Sequence, residues 1–215
     1  MTTQALDPKR NGDWKVDTTR QPDPSRTALL VMDVQQSIVE RFAGGEELAA
    51  RLGTAVAAAR RAGVTIIAVR VAFRPGHPEV DRRNKMFGRL AESGALILDS
   101  PEAALHPALG IDKLDPVVTK VRVGAFAGSD LAQILRGRGI TTLVLGGIAT
   151  SGVVLSTLRH AADADHDVVV LADGCLDADP EVHRVLVSKV FPAQAEVVTV
   201  AEWIGQLGTG GHPGR

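Results

Sequence analysis

The chain has 215 residues, enough for one domain with a substantial core and too few for two full ones. Apolar residues make up 45% and charged residues 23%, and a formal net charge of -1 offers neither nucleic acid nor an acidic membrane a basic surface. The single cysteine, Cys175, excludes an intrachain disulfide framework and fits a reducing cytoplasm.

Residues 1–26 are expected to form an irregular arm. They are polar, rich in Pro and Asp, and lack the apolar core of a signal peptide. Trp14 is a candidate anchor for this arm, on the domain or on a second copy, and self-association as a homodimer or larger homo-oligomer is expected. The domain proper is assigned to 27–206, and the glycine-rich 207–215 to a flexible tail. No apolar run is long enough to span a membrane.

In chain order, the apolar run Ala-Leu-Leu-Val-Met at 28–32 suits a strand buried on both faces. Residues 46–62 have helical spacing and stop at Gly63. A second strand is predicted at 64–71, a helix at 82–92, and a short third strand at 116–120. A helix over 129–136 is closed by Gly137 and Gly139. The fourth strand covers 141–145, followed by a helix over 152–164. The fifth strand covers 167–172. A helix over 180–189 carries Pro180 in its first turn, where a missing N–H is harmless. A sixth strand at 196–200 leads into a short helix through Trp203.

Strands separated by helices imply right-handed crossovers, hence a three-layer α/β/α fold with a mostly parallel six-stranded, Rossmann-like sheet. Ligands bind such sheets beyond the carboxyl ends of the strands. That edge should hold Asp33, the surroundings of Phe73, the segment after Lys120, residues 147–153 and Asp173.

Three features there could carry chemistry. Asp33 directly follows an apolar strand, where burial raises a carboxyl pKa and a nearby cation lowers it, both suited to proton transfer; a cap or loop carboxylate is the plainer alternative. Lys120 ends the third strand, where it could pair with Asp33 or stabilise negative charge, or simply extend along the surface. The linker Gly-Gly-Ile-Ala-Thr-Ser-Gly-Val-Val at 146–154 joins a strand to a helix, and a helix start favours an oxyanion. Thr150 and Ser151 are expected there as caps. His160 and His183 are expected as surface or packing residues. The Asp/His run at 163–167 suits a solvated helix end, so no metal site is expected. No phosphate loop or dinucleotide fingerprint is present, and no cofactor is expected.

Asp33 in Asp-Val-Gln, Lys120 shortly before Ala125-Phe126, and the stretch GIATSGVVLSTLRHAADADHDVVVLADG together resemble the isochorismatase-like hydrolase superfamily, a family that includes isochorismatases, nicotinamidases and N-carbamoylsarcosine amidases. The resemblance spans about residues 27–204. It implies that Asp33 is the acid/base carboxylate and Lys120 its cationic partner. It implies a cis Ile148–Ala149 peptide, with the N–H groups of Ala149 and Val153 facing an oxyanion. Gln35, Phe73, Phe126 and Arg122 are the implied substrate contacts, with Arg74 and His77 as further candidates. It also places Val153 where most of the superfamily carries its nucleophilic cysteine. A valine side chain has no lone pair and cannot form a covalent acyl intermediate. Isochorismatases themselves lack that cysteine, yet Val153 is larger than the glycine expected in them.

Two readings stay open. One is a cofactor-independent hydrolase of a small organic molecule, with Asp33/Lys120 acid-base chemistry, possible vinyl-ether or lyase-type steps, and water as nucleophile. The other is a silent binding or regulatory member of the same superfamily. A displaced nucleophile at Cys175 is a third, lesser possibility.

Overall fold

The structure, a computed structural model, describes residues 23–209, so residues 1–22 of the expected arm, Trp14 among them, and 210–215 of the expected tail lie outside it. In chain order the elements are β1 (Thr27–Met32), α1 (Gln36–Val39), α2 (Gly45–Ala62), β2 (Thr65–Val71), α3 (Lys85–Ser93), β3 (Val117–Lys120), α4 (Leu131–Gly137), β4 (Thr142–Ile148), α5 (Leu155–Asp163), β5 (Asp167–Leu176), α6 (Pro180–Val185), β6 (Glu196–Val198) and α7 (Val200–Thr209). The six strands form one sheet in the order β3-β2-β1-β4-β5-β6, every pairing parallel.

The period of two along β1 divides its side chains between two cores. Ala28, Leu30 and Met32 join the layer with Leu131, Leu135, Leu158 and Phe191, whereas Leu29 and Val31 join the layer with Leu48, Leu52, Val56 and Trp203. All six residues of β1 are buried, as an apolar run covered on both faces requires. α2 ends at Gly63, whose φ of 77° is a left-handed stop.

Strand order reverses at β1. The chain leaves β1 toward β2 and β3, then returns to place β4 on its other side. The helices after β1 and β4 therefore lie on opposite faces of the sheet, α2 in the layer with Leu29 and α5 in the layer with Leu30, and the carboxyl edge where such connections part is the usual ligand position in this architecture.

Several boundaries differ from expectation for physical reasons. β4 continues through Gly146 and Gly147 to Ile148 instead of stopping at 145. These glycines are required by close approach: a Cβ on Gly147 (φ 149°) would lie 2.0 Å from the Met32 carbonyl oxygen, and one on Gly146 would lie 3.0 Å from that of Gly174. β5 is likewise longer, with a register shift opposite Leu145 and Gly147. α5 begins at Leu155, not at 152, because Gly152 has ψ -105° and breaks the helical path. A wide turn, Thr150–Val154, precedes it. α1 was not expected. α7 runs to Thr209, three residues into the segment assigned to the tail.

Gly147→Ala should cost about 2–5 kcal/mol, combining backbone strain with overlap against β1. Urea unfolding measures this as a lower midpoint at unchanged slope; a loss below about 1 kcal/mol would mean that β1 and β4 can part locally without penalty.

Candidate active site

Asp33 follows β1 at the point of strand reversal. Its backbone lies in the left-handed region (φ 55°), which aspartate tolerates better than most residues, and its N–H donates to the Val69 carbonyl at 2.8 Å. Lys120 ends β3, two strand spacings or about 10 Å away across the end of β2. Only a long side chain bridges that gap. The Lys120 Nζ lies 2.8 Å from Asp33 Oδ2 and donates to the Arg122 carbonyl at 3.0 Å.

Both charges are withdrawn from water: Lys120 is 1% exposed and Asp33 6%. Burial pushes the Asp33 carboxyl up to about 6, with the Lys120 charge and hydrogen bond pulling the other way. Asp33 Oδ1 is buried and has no hydrogen-bond partner among the described residues. Buried polar atoms are nearly always paired, so an orphaned oxygen on a carboxyl poised near neutrality makes Asp33 a candidate for meeting a reacting group.

Beside β1 at the same edge of the sheet, β4 delivers the Ile148–Ala149 peptide, which is cis, and the turn Thr150–Val154. Val153 is 2% exposed and packs into the same core layer as Cys175. Thr150 and Ser151, expected as caps, cap nothing with their side chains. The Thr150 hydroxyl, fully buried, instead shares a 2.9 Å hydrogen bond with His183 Nδ1 from α6. The Ser151 N–H donates to Asp177 Oδ2 at 2.7 Å. Neither long-range partner was foreseen, and no local pattern marks them.

The remaining expected contacts fall in different places. Gln35 is fully buried and its amide is consumed by backbone: Nε2 donates to the carbonyls of Val71 and Ala103, both at 3.0 Å, and Oε1 accepts from the Val71 N–H at 2.8 Å. It extends the sheet edge, with neither N–H left for a ligand. Phe73 is packed between His77 and Phe87. His77 is itself buried, its Nε2 2.8 Å from the Ala95 carbonyl oxygen. The Arg122 guanidinium donates to the carbonyls of Glu79 and Val121, and Arg74 pairs with Glu79. Phe126 stacks on His160 of α5 (centroids 4.2 Å apart, planes 11° apart), and the Ala125 N–H beside it donates to the Thr157 hydroxyl at 3.0 Å. Burial pushes the Cys175 thiol up to about 12, leaving it protonated and unreactive at neutral pH. Among the described residues no three or more His, Cys, Asp or Glu side chains converge as a metal-binding group, and no helix is long and apolar enough to cross a membrane.

Residues 27–202 match the family model described as the Isochorismatase domain. The chain belongs to the isochorismatase family. Among similar proteins, the isochorismatase family protein YecD of Escherichia coli O157:H7 is 35% identical over 185 residues, covering 84% of this chain and 96% of its own length. The ureidoacrylate amidohydrolase RutB of Methylobacterium radiotolerans is 34% identical over 209 residues, covering 86% and 81%. An isochorismatase family protein from Burkholderia thailandensis superposes with a TM-score of 0.75 at 31% identity, covering 86% of this chain and 96% of its own. A cysteine hydrolase from Pseudomonas syringae pv. phaseolicola reaches 0.81 at 23% identity, covering 88% and 96%, which speaks for the isochorismatase fold alone.

The buried pair makes stability depend on pH. Folded Asp33 holds its proton more tightly than the unfolded chain does, so its contribution is full below the ordinary value of 3.8 and is lost as pH climbs to about 6. The total is about 3 kcal/mol. Asp33→Asn should abolish this part of the slope, seen as denaturant midpoints measured across that window. Lys120→Met should cost about 3–5 kcal/mol above pH 6 by stranding a buried carboxylate, and much less near pH 4; an equal cost at both values would show that the charge of Asp33 is not the reason.

Proposed function

We propose that this isochorismatase-family chain is a hydrolase of a small organic molecule in which water, not a side chain, attacks the substrate. The observation that carries the reading is the Asp33–Lys120 pair, buried at the sheet's point of strand reversal with Asp33 Oδ1 left unpaired. A carboxyl pushed up to about 6 exchanges protons readily near neutral pH, which is what a general acid or base requires. Lys120 sets how easily Asp33 ionises and offers positive charge to a developing anion. The amides of Ala149 and Val153 are the donors proposed for that anion.

Position 153 is read as the nucleophile position of the cysteine-dependent relatives, and valine cannot attack there. Cys175 does not replace it, since its thiol is buried and held protonated. On an amide or ureido substrate, the oxygen of water bonds to the carbonyl carbon while Asp33 accepts its proton. Asp33 then returns the proton to the departing nitrogen as the C–N bond breaks. On a vinyl ether, the alkene π electrons take the Asp33 proton onto carbon, water adds to the resulting oxocarbenium ion and gives up a proton to Asp33, and the hemiketal collapses as its ether C–O bond breaks, leaving a carbonyl compound and an alcohol. The amidohydrolase named among the relatives makes ureido and amide compounds the first class to assay.

The test is turnover of ureido compounds, amides and vinyl ethers by wild type and Asp33→Asn. The variant should lose about 100-fold or more in kcat/KM while keeping the fold. If Asp33 acts as acid, the rate falls as pH rises through about 6; as base, it rises. Iodoacetamide should leave wild-type activity unchanged, and Val153→Cys should acquire an alkylation-sensitive amidase activity. Undiminished turnover in Asp33→Asn overturns the mechanism. A panel without product, with a ligand still bound at the carboxyl edge, favours a binding module built around the inert Val153.

A further inference from the structure

The turn Thr150–Val154 is not held by a regular helical ladder. Gly152 departs from helical geometry inside it, and α5 starts only at Leu155. Its own backbone contributes the bonds from the N–H groups of Gly152 and Val154 to the Ala149 carbonyl, the second at 3.3 Å, and the Leu155 N–H bonds back to the carbonyls of Gly152 and Thr150. Gly152, which lacks a Cβ, is the residue about which the path of this segment can change, and the direction of the Val153 N–H would change with it.

Two side chains from a single distant segment remove that freedom. Asp177, in the connection between β5 and α6, accepts the Ser151 N–H at 2.7 Å. His183, on α6, bonds the Thr150 hydroxyl at 2.9 Å. The first is a charge-assisted bond at the start of the turn. The second satisfies a hydroxyl that is fully buried, so losing it would strand a polar group away from water. Consecutive residues are thus gripped from one side, one by its backbone and one by its side chain. α6 is itself anchored at that end, with Pro180 in its first turn and the Asp179 carboxylate accepting the Glu181 N–H.

We propose that Asp177 and His183 are positioning residues, forming a clamp that orients the 149–153 backbone toward bound substrate. The clamp rests on the hydrolase reading above only for what the oriented turn does; its existence does not. It supplies preorganisation that neither Val153 nor a helical start provides, and it places the control of the turn's backbone in a segment 26 to 33 residues away in the chain.

Two measurements on the full chain separate the two levels. Amide hydrogen exchange by NMR reads the clamp directly. His183→Leu and Asp177→Ala should each speed exchange at residues 151–154 by roughly three- to tenfold, the loss of one hydrogen bond, with the β1 amides unchanged. His183→Asn, which keeps a hydrogen-bonding atom near the place of Nδ1, should restore slow exchange. Should His183→Leu fail to fold, Asp177→Ala carries the same comparison. The second measurement is the pH profile of iodoacetamide alkylation in the Val153→Cys background, where Cys175, buried and held up at about 12, stays silent. Loss of either clamp residue should shift the midpoint for the introduced thiol, and His183→Asn should return it. Unchanged exchange in both variants overturns the clamp. Faster exchange with an unmoved alkylation profile overturns its role in orienting the site and leaves the hydrolase reading, which Asp33→Asn judges, untouched.

Discussion

A lysine ammonium and an aspartate carboxylate meet inside the protein, across the end of a strand that contributes neither of them. The arrangement of the candidate site follows from that contact. Withdrawing two ions from water is costly, and the cost is offset only when the pair is close and other polar groups complete it. Here the separation is 2.8 Å and the Arg122 carbonyl takes a second Lys120 proton. One carboxyl oxygen has no hydrogen-bond partner among the described residues. The structure therefore holds a group that is neither securely ionised nor fully bonded, and it holds it at the point of strand reversal. A pair built only for stability would have no reason to leave that oxygen bare.

The scaffold around the pair is correspondingly rigid. Asp33 sits in a left-handed conformation that its own N–H bond to Val69 maintains. Gln35, two residues on, ties the chain to Val71 and Ala103 through three hydrogen bonds, two of them to the backbone of a single residue. Gly146 and Gly147 let β4 approach β1 closely enough that any side chain at Gly147 would overlap the Met32 carbonyl. Each device fixes backbone at the carboxyl edge, so that the direction of Asp33 and of the turn after β4 is set before any substrate arrives.

The proposed chemistry departs from that of the cysteine-dependent relatives at residue 153, the position read as their nucleophile. Fold and family extend across residues 27–202, whereas the side chain on which covalent catalysis depends occupies a single position. With valine there, the remaining resources are the acid/base pair and the backbone of the turn. On that reading the hold of Asp177 and His183 on the turn gains its importance, because a backbone donor has only its orientation to offer.

Much of this was legible in the sequence. Apolar runs buried on both faces marked the strands, their alternation with helical segments implied the parallel sheet, and the residues ending the first and third runs marked Asp33 and Lys120, because strand ends are defined by local composition. Glycines obscured the end of β4, since their low strand preference conceals a close approach that only a neighbouring strand reveals. Gln35, Phe126 and His183 were the least readable. Gln35 and Phe126 were expected at a ligand and His183 as a surface or packing residue; the partners they have in the structure lie 36, 34 and 33 residues away in the chain. The amino-acid order by itself determined which segments would be strands and which polar groups would end at their carboxyl edge, because burial periodicity is a short-range property. Only the tertiary structure decided which of those groups meet, because hydrogen bonds and ion pairs depend on distances of a few ångströms that the crossing order of six strands sets and no local pattern encodes.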